Sequence, residues 1–187
     1  MRIIAGTAKG REIVAPKGLN TRPTLAKVKE AIFGMLQFDI GGAKVLDLFS
    51  GSGGLGIEAI SRGADHVTFC DADRHAITAV KSNLKKLAFE DRASVFFGDA
   101  IALLGSLSER GERFDIVLLD PPYETDLESR ALAKLYEGSL LNYGAIVICE
   151  HSLKNPPVFP GGFSAKKAKK YGDSYVTYAT YEGAEDR

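Results

Sequence analysis

From Lys44 onward, short apolar runs alternate along the chain with segments whose apolar residues recur at helical spacing. The continuous apolar runs predict strands, and the amphipathic segments predict helices. The predicted strands are 44–48, 66–71, 94–98, 114–119 and 144–150, and the predicted helices lie near 54–62, 74–87, 99–108 and 127–138. Alternation of this regularity predicts an α/β fold with a doubly wound, mostly parallel, Rossmann-like sheet.

The two ends of the chain depart from this alternation. Residues 1–40 are predicted to form a small N-terminal extension made of a hairpin and a helix, with elements at Arg2–Ala5, Arg11–Ala15 and 25–37. The main domain is then 41–187. Near its end two consecutive strands are predicted, Phe163–Tyr171 and Tyr175–Tyr181, and they should be antiparallel because no helix separates them.

Composition indicates an ordinary globular protein, with 45% hydrophobic and 26% charged residues. No apolar run approaches the roughly 20 residues that a membrane-spanning helix needs. The first residues contain no apolar segment of the secretory type, so we expect a cytoplasmic protein that does not enter a membrane. Cys70 and Cys149 each end an apolar run and are expected to be buried thiols of a reducing compartment, and no metal site is expected.

Charge is distributed unevenly, although 24 basic and 24 acidic side chains cancel overall. Residues 1–30 hold seven basic and two acidic side chains, whereas residues 31–162 hold 12 basic and 18 acidic ones. The run Lys166–Lys170 adds a second basic cluster of four lysines. The pattern is compatible with a merely solvated surface, and it favours a basic edge that binds a polyanion beside an acidic body.

A glycine-rich turn follows the first predicted strand and opens a helix. Its residues Gly51–Gly56 satisfy the G-x-G-x-x-G pattern, and Asp71 ends the next strand at a spacing typical of an acid that binds a ribose diol. Asp47 distinguishes between two ligands, because its carboxylate would repel the pyrophosphate of a dinucleotide. S-adenosylmethionine has no phosphate and carries an ammonium and a sulfonium that the carboxylate would favour. A capping or solvated role for Asp47 remains the alternative.

Two further polar corners follow later strands. Asp99, after the third strand, could accept a hydrogen bond from an adenine amino group and could also cap the next helix. After the fourth strand, Asp120-Pro121-Pro122-Tyr123 forms a stiff turn in which the carboxylate and a proline carbonyl offer two acceptors. An exocyclic –NH₂ has two matching donors, and Tyr123 could stack on its heterocycle. A simple strand-ending turn would explain the prolines without the flanking acid and tyrosine.

These motifs carry a resemblance to a known family. Val45–Gly53 together with Asp120–Tyr123 resembles the class I, S-adenosylmethionine-dependent amino methyltransferases. The segments Arg2–Gly6, Gly10-Arg11, Arg22–Thr24 and Val28–Phe33 sharpen the match, since they are similar to the D family of bacterial 16S ribosomal RNA guanine-N2 methyltransferases. The resemblance extends to about Tyr181. It departs at Asp71, where a glutamate is more usual, and at Gly34, where a polar residue is expected.

The resemblance implies methyl transfer from S-adenosylmethionine to the exocyclic N2 amine of a guanine in 16S ribosomal RNA. It implies three sets of residues: Asp120, Pro121, Pro122 and Tyr123 for catalysis; Asp47, Phe49, Gly51, Ser52, Gly53, Asp71, Asp99 and Ala100 for the cofactor; Lys9, Arg11 and Arg22 for RNA phosphates. Lys166–Lys170 are weaker candidates for RNA contact. The expected partner is ribosomal RNA or a small-subunit ribosomal particle, bound by a monomer.

Three alternatives remain open at this point. An adenine-N6 methyltransferase acting on DNA or RNA could use the same D-P-P-Y corner, although no separate target-recognition domain is visible in this sequence. A nicotinamide-dependent oxidoreductase could use the same glycine turn but would lack that corner. A non-catalytic RNA-binding module should have a degenerate glycine turn or lack Asp120.

Overall fold

The computed structural model describes residues 1–15, 23–122 and 125–183. In this part of the chain, eight strands form one mixed sheet. The strands are β1 (Lys44–Asp47), β2 (His66–Asp71), β3 (Ala93–Phe97), β4 (Phe114–Leu119), β5 (Leu141–His151), β6 (Phe163–Ala165), β7 (Lys169–Tyr171) and β8 (Ser174–Tyr181). The helices are α1 (Pro23–Met35), α2 (Gly54–Ser61), α3 (Arg74–Leu87), α4 (Ala100–Glu109) and α5 (Leu127–Glu137).

The strand order is β3-β2-β1-β4-β5-β8-β6, and β7 pairs with the same strand, β8, as β6 does. β1 to β5 run parallel, and β8 runs antiparallel to β5. This arrangement confirms the predicted doubly wound sheet with antiparallel strands at its C-terminal end. The direction of strand succession reverses between β1 and β4, so a crevice is expected outside their carboxyl ends.

Both faces of the sheet are covered by helices, which explains the continuous apolar runs. Successive residues of β4 alternate between the two cores: Ile116 and Leu118 belong to the core that includes residues of α1, α2 and α3, whereas Val117 and Leu119 belong to the core that includes residues of α4 and α5. All four are almost completely buried. The part of the chain described by the structure contains no helix that is long and apolar enough to cross a membrane.

The predicted strand Phe163–Tyr171 is two strands, and this prediction is wrong in detail. Ala165 pairs with Ala179, whereas Lys169 pairs with Val176, so three residues on one strand face two on the other. This extra residue is a bulge, which interrupts the ladder between β6 and β7. The bulge holds Lys166–Ala168 at the outer edge of the sheet.

The predicted N-terminal strands are reduced to a single antiparallel bridge between Arg2 and Glu12. The hairpin closes through hydrogen bonds between Ile3 and its partners across the turn, Arg11 and Gly10, each 2.9 Å long. The strand stops there because the next two N–H groups, those of Ile4 and Ala5, donate to the side chain of Glu58 on α2. The extension is therefore packed on the main domain by contacts distant in sequence.

Candidate active site

A cavity of about 590 Å³ opens at the carboxyl ends of the parallel strands. Four acids at or next to the ends of β1, β2, β4 and β5 line it: Asp47, Asp71, Asp120 and Glu150. Neighbouring strands lie about 4.8 Å apart, so the sheet itself gathers these carboxyl groups on one wall. An acidic wall disfavours the pyrophosphate of a nicotinamide dinucleotide and favours a cation.

Most residues predicted to bind the cofactor line this cavity: Asp47, Phe49, Gly51, Ser52, Asp71, Asp99 and Ala100. Gly53 is not among the lining residues. Its φ of 80° places it in the left-handed region as the N-cap of α2, and a Cβ there would lie 3.0 Å from Cδ1 of Ile57. Gly53 therefore allows the tight turn into α2 without itself lining the cavity.

The glycine turn is held in place by backbone hydrogen bonds. The N–H of Gly51 donates to Oδ2 of Asp71 over 2.7 Å, and the N–H of Gly53 donates to the Ser50 carbonyl, also over 2.7 Å. Gly56 lets α2 approach the sheet, because a Cβ on it would lie 2.3 Å from Cε1 of Phe69. The turn is thus fixed from both the strand and the helix side.

Asp47 is buried at the base of the cavity, with 1% of its surface exposed. Its Oδ2 accepts a hydrogen bond of 2.9 Å from the N–H of Gly56, in the first turn of α2. Burial raises the pKa of Asp47 to about 7, and the negative charge of Asp71 adds to the increase while the Gly56 hydrogen bond opposes it. The capping role and the counter-charge role considered from the sequence are therefore both compatible with one geometry.

Asp71 and Asp99 also line the cavity, and each accepts local hydrogen bonds. Asp71 accepts hydrogen bonds from Gly51 and from the N–H of Asp73, the latter over 2.8 Å. Asp99 caps α4, since its Oδ1 accepts from the N–H of Ala102 over 2.8 Å. Carboxylate oxygens have further lone pairs, so these local bonds leave capacity for a ribose diol and an amino group.

The turn after β4 brings the predicted acceptors into the cavity. Asp120 and both prolines line it; Asp120 is partly exposed, Pro121 is buried and Pro122 is exposed. The carbonyl of Pro122 accepts a hydrogen bond of 2.9 Å from Oγ1 of Thr125. Tyr123, predicted to complete this corner, lies outside the described residues.

Asp120 has a strongly perturbed acidity. Burial raises its pKa well above the usual range, and the negative charges of Glu150, Asp47 and Glu128 raise it further. Glu128 is itself buried, and burial also raises its pKa. Carboxyl groups whose pKa values are raised in a cavity are typical of functional sites.

The sequence interpretation missed several residues of this site. Ser50 lines the cavity with a buried Oγ that has no hydrogen-bond partner among the described residues. Glu150 follows the apolar run of β5, the same signal that identified Asp47 and Asp71, and could have been found in that way. The extension also contributes to the wall, through Met1, Ala15, Val28 and Lys29. That contribution depends on packing and has no local signal.

Glu58, which is completely buried, attaches the extension to α2 beside the glycine turn. Its two carboxylate oxygens each accept a 2.9 Å hydrogen bond from one of the N–H groups of Ile4 and Ala5. They also form ion pairs with Lys29, at 3.0 Å, and with Arg62, at 2.8 Å. Burial by itself would raise the pKa of Glu58, but the Ile4 hydrogen bond and the charge of Lys29 outweigh it and lower the pKa.

The residues predicted to contact RNA differ in their surroundings. Lys9 is exposed at the hairpin turn. Arg11 is exposed as well, and its Nη2 donates to the carbonyl of Lys86 at the end of α3 over 2.6 Å, so it also fixes the hairpin. Arg22 lies outside the described residues. Among residues that are described, no group of three or more potential ligands is placed to hold a metal ion.

Comparison with known proteins gives a consistent assignment. Residues 1–180 match the family model described as "Conserved hypothetical protein 95". The chain is 44% identical over 151 residues to the Bacillus subtilis protein named "Putative rRNA methyltransferase YlbH", covering 81% of this chain and 82% of that one. It is 34% identical to "Ribosomal RNA small subunit methyltransferase D" of Haemophilus influenzae, over 97% of this chain and 93% of the relative.

A solved structure supports the same assignment. "Putative methyltransferase yhhF from Escherichia coli" superposes with a TM-score of 0.87 at 31% identity, with 98% of each chain covered. The similarity includes the N-terminal extension, because the coverage is nearly complete on both sides.

Proposed function

The chain belongs to the family of the small-subunit ribosomal RNA methyltransferases D, and on this premise we propose that it methylates the exocyclic N2 amine of a guanine in 16S ribosomal RNA. The methyl donor is S-adenosylmethionine. The observation that carries the proposal is the position of Asp120 and Pro121, which line the same cavity as the acids predicted to bind the cofactor. A methyl donor and an acceptor amine would therefore meet in one enclosed space.

The cavity fits a phosphate-free cation. Burial raises the pKa of Asp47 to about 7, so a positive partner would favour its ionised form, and the buried Oγ of Ser50 can bond to a polar ligand atom. The residues that would hold the cofactor are Asp47, Phe49, Ser50, Gly51, Ser52, Asp71, Asp99 and Ala100. When bound, S-adenosylmethionine supplies an electrophilic methyl group on a sulfonium centre.

Asp120 and the Pro121 carbonyl act on the acceptor amine. The guanine amine is a poor nucleophile because its lone pair is delocalised into the ring. Two acceptors that take its two N–H groups would orient the amine, favour a pyramidal nitrogen and stabilise the positive charge that develops on it. In its ionised form, Asp120 can take up the proton that the amine then loses.

The target guanine must reach this cavity unstacked, since in a paired helix its amine is hydrogen-bonded to cytosine at the floor of the minor groove and cannot enter an enclosed site. Tyr123, which follows the second proline, is proposed to stack on the guanine and hold it there. The substrate is therefore an exposed or flipped nucleotide in ribosomal RNA or in a small-subunit particle. We expect a monomer acting in the cytoplasm.

The extension, residues 1–40, is proposed to bind the RNA. Its first 30 residues hold seven basic side chains, of which Lys29 is buried in the ion pair with Glu58, and the exposed Lys9 and Arg11 lie on its hairpin. Arg22 is included on the strength of its sequence motif. Phosphate contacts of this kind position a substrate without reading its sequence, so selection of the nucleotide is left to the cavity.

Methyl transfer to RNA from a strain that lacks the protein tests the proposal. Purified protein, radiolabelled S-adenosylmethionine and either 16S ribosomal RNA or small-subunit particles from that strain are incubated, and the labelled nucleoside is identified. The expected product is N2-methylguanosine at one position. Label in N6-methyladenosine would favour the adenine alternative, and absence of label from both substrates would refute the proposal.

A further inference from the structure

Four exposed lysines lie at the lateral edge of the sheet beyond β8, and we name them the lysine edge: Lys166, Lys167, Lys169 and Lys170. Two of them belong to the bulge between β6 and β7, and two lie on β7 itself, which pairs with β8. The ion pairs found between described residues include none of the four. The positive charge of this edge is therefore not neutralised by the part of the chain that the structure describes.

Strand register places the lysine edge beside the cavity. Lys169 pairs with Val176, and Val176 pairs on its other side with Glu150, which lines the cavity. Two strand spacings separate Lys169 from Glu150 along this row, so the two backbones lie about 10 Å apart. The lysine edge and the acidic wall thus lie at the same end of the sheet.

Two partly exposed tyrosines of β8 lie under the lysines. Nζ of Lys166 lies 4.6 Å from the ring centroid of Tyr178, and Nζ of Lys170 lies 6.0 Å from that of Tyr175. Tyr175 in turn stacks on His151, at the end of β5, with ring centroids 6.0 Å apart. Tyr175 and Tyr178 are three residues apart on β8 and therefore lie on opposite faces of the sheet, so each face of the lysine edge has a tyrosine ring beneath a lysine. A base of a nucleic-acid strand can stack on such an exposed ring.

The lysine edge also adjoins the N-terminal extension. Helix α1 packs beside β7, and Lys27 on α1 is exposed. Basic groups therefore flank the cavity on the side of the extension and on the side of β7, while the cavity itself is acidic. The phosphates of a polyanion would be attracted to these basic flanks and repelled from the acidic cavity wall. The cavity would then accept only the uncharged base and the cationic cofactor.

We propose that the lysine edge binds phosphates of the RNA strand adjoining the target nucleotide, an inference that rests on the RNA substrate proposed above. The competing explanation is that lysines on an edge strand merely prevent pairing with another chain. The two explanations differ in one measurable quantity, the number of counterions released when RNA binds.

The test compares two charge-matched double variants in filter titrations with 16S ribosomal RNA between 50 and 200 mM salt. K169Q/K170Q removes two charges from the lysine edge. R110Q/R113Q removes two exposed charges between α4 and the start of β4, at the end of the sheet opposite the cavity. Two lost contacts to single-stranded RNA should lower the slope of log K against log salt by about 1.4. K169R/K170R keeps both charges and should restore the slope.

The proposal predicts a smaller slope and a weaker affinity, on the order of tenfold at 150 mM salt, for K169Q/K170Q alone. Equal slopes for K169Q/K170Q, R110Q/R113Q and the unmodified protein would overturn it. Self-association of K169Q/K170Q with an unchanged slope would overturn it too, in favour of edge protection. Because RNA binding is measured without methyl transfer, the experiment tests RNA binding by the lysine edge even if the proposed methylation of guanine is wrong.

Discussion

Nζ of Lys29 lies 3.0 Å from Oε2 of Glu58, and both side chains are almost completely buried. The pair joins the N-terminal extension to α2, the helix that follows the glycine turn. Lys29 also donates a hydrogen bond of 2.9 Å to the carbonyl of Arg2 and lines the cavity. The extension is therefore part of the wall of the active site, and its attachment should affect both stability and cofactor binding.

Removing the carboxylate of Glu58 should destabilise the protein strongly. E58A leaves the buried Lys29 without its counter-charge and two backbone N–H groups without an acceptor, so we expect a loss of about 3–5 kcal/mol in the free energy of unfolding. Urea titration at pH 7 measures it. E12A removes the exposed pair of Glu12 with Arg2, 70% exposed on both sides, and should cost less than about 1 kcal/mol.

The pH dependence of stability checks the role of Glu58 independently. Its pKa is lowered in the folded protein, so the carboxylate stabilises the fold above its unfolded-state pKa. That stabilisation is lost as the pH falls through the lower, folded-state value. The difference in stability between the unmodified protein and E58Q should therefore shrink under acidic conditions, and a difference that stays constant would contradict the ion-pair account.

Cofactor affinity should depend on pH through Asp47. The carboxyl, whose pKa is about 7 in the free protein, is mostly protonated at pH 6 and mostly ionised at pH 8. A cation binds the ionised form, so affinity should increase up to about tenfold per pH unit between pH 5.5 and 7 and then level off. Calorimetry in buffers of different ionisation enthalpy should detect proton release on binding.

The variant D47N separates this effect from other titrations. It keeps a side-chain oxygen for the Gly56 N–H but cannot ionise, so its affinity should be lower and nearly independent of pH over the same range. D99N changes an exposed acid of the same cavity and should retain the pH dependence. A D47N profile with the slope of the unmodified protein would exclude Asp47 as the counter-charge.

Ser50 offers a test of how the cavity fits its ligand. Its buried Oγ has no partner among the described residues, so S50A should leave the free energy of unfolding unchanged or slightly higher. Cofactor affinity should fall about three- to tenfold if the ligand supplies the missing hydrogen bond. Ser152 also has a buried Oγ for which the described part of the chain offers no partner, but it does not line the cavity, so S152A should not alter cofactor affinity.

Elements with a strong local pattern were predicted closely from the sequence. Helix α3 and strand β4 have the predicted bounds, because a helical period and a continuous apolar run each depend on neighbouring residues alone. Asp47, Asp71 and Asp120 are predicted for the same reason, since each ends or follows an apolar run, whereas Glu150 carries the same signal and was missed. The parallel topology then brings their carboxyl groups together.

Features that depend on distant residues could not be predicted in this way. The strand at Arg2–Ala5 stops early because Glu58, more than 50 residues away, binds the N–H groups of Ile4 and Ala5. The break between β6 and β7 depends on a one-residue difference in pairing with β8. The participation of Lys29 in the cavity wall likewise follows from the docking of the extension.

The variant D120A most directly tests the claim that Asp120 acts on the acceptor amine while other residues of the cavity bind the cofactor. Asp120 is proposed to act on the acceptor amine alone, so the variant should bind S-adenosylmethionine within about threefold of the unmodified affinity. Its single-turnover rate of methyl transfer to ribosomal RNA should fall to less than about one tenth. A variant that binds the cofactor normally and retains more than a tenth of the rate would contradict the assignment of Asp120, and so would one whose loss of rate is explained entirely by lost cofactor binding.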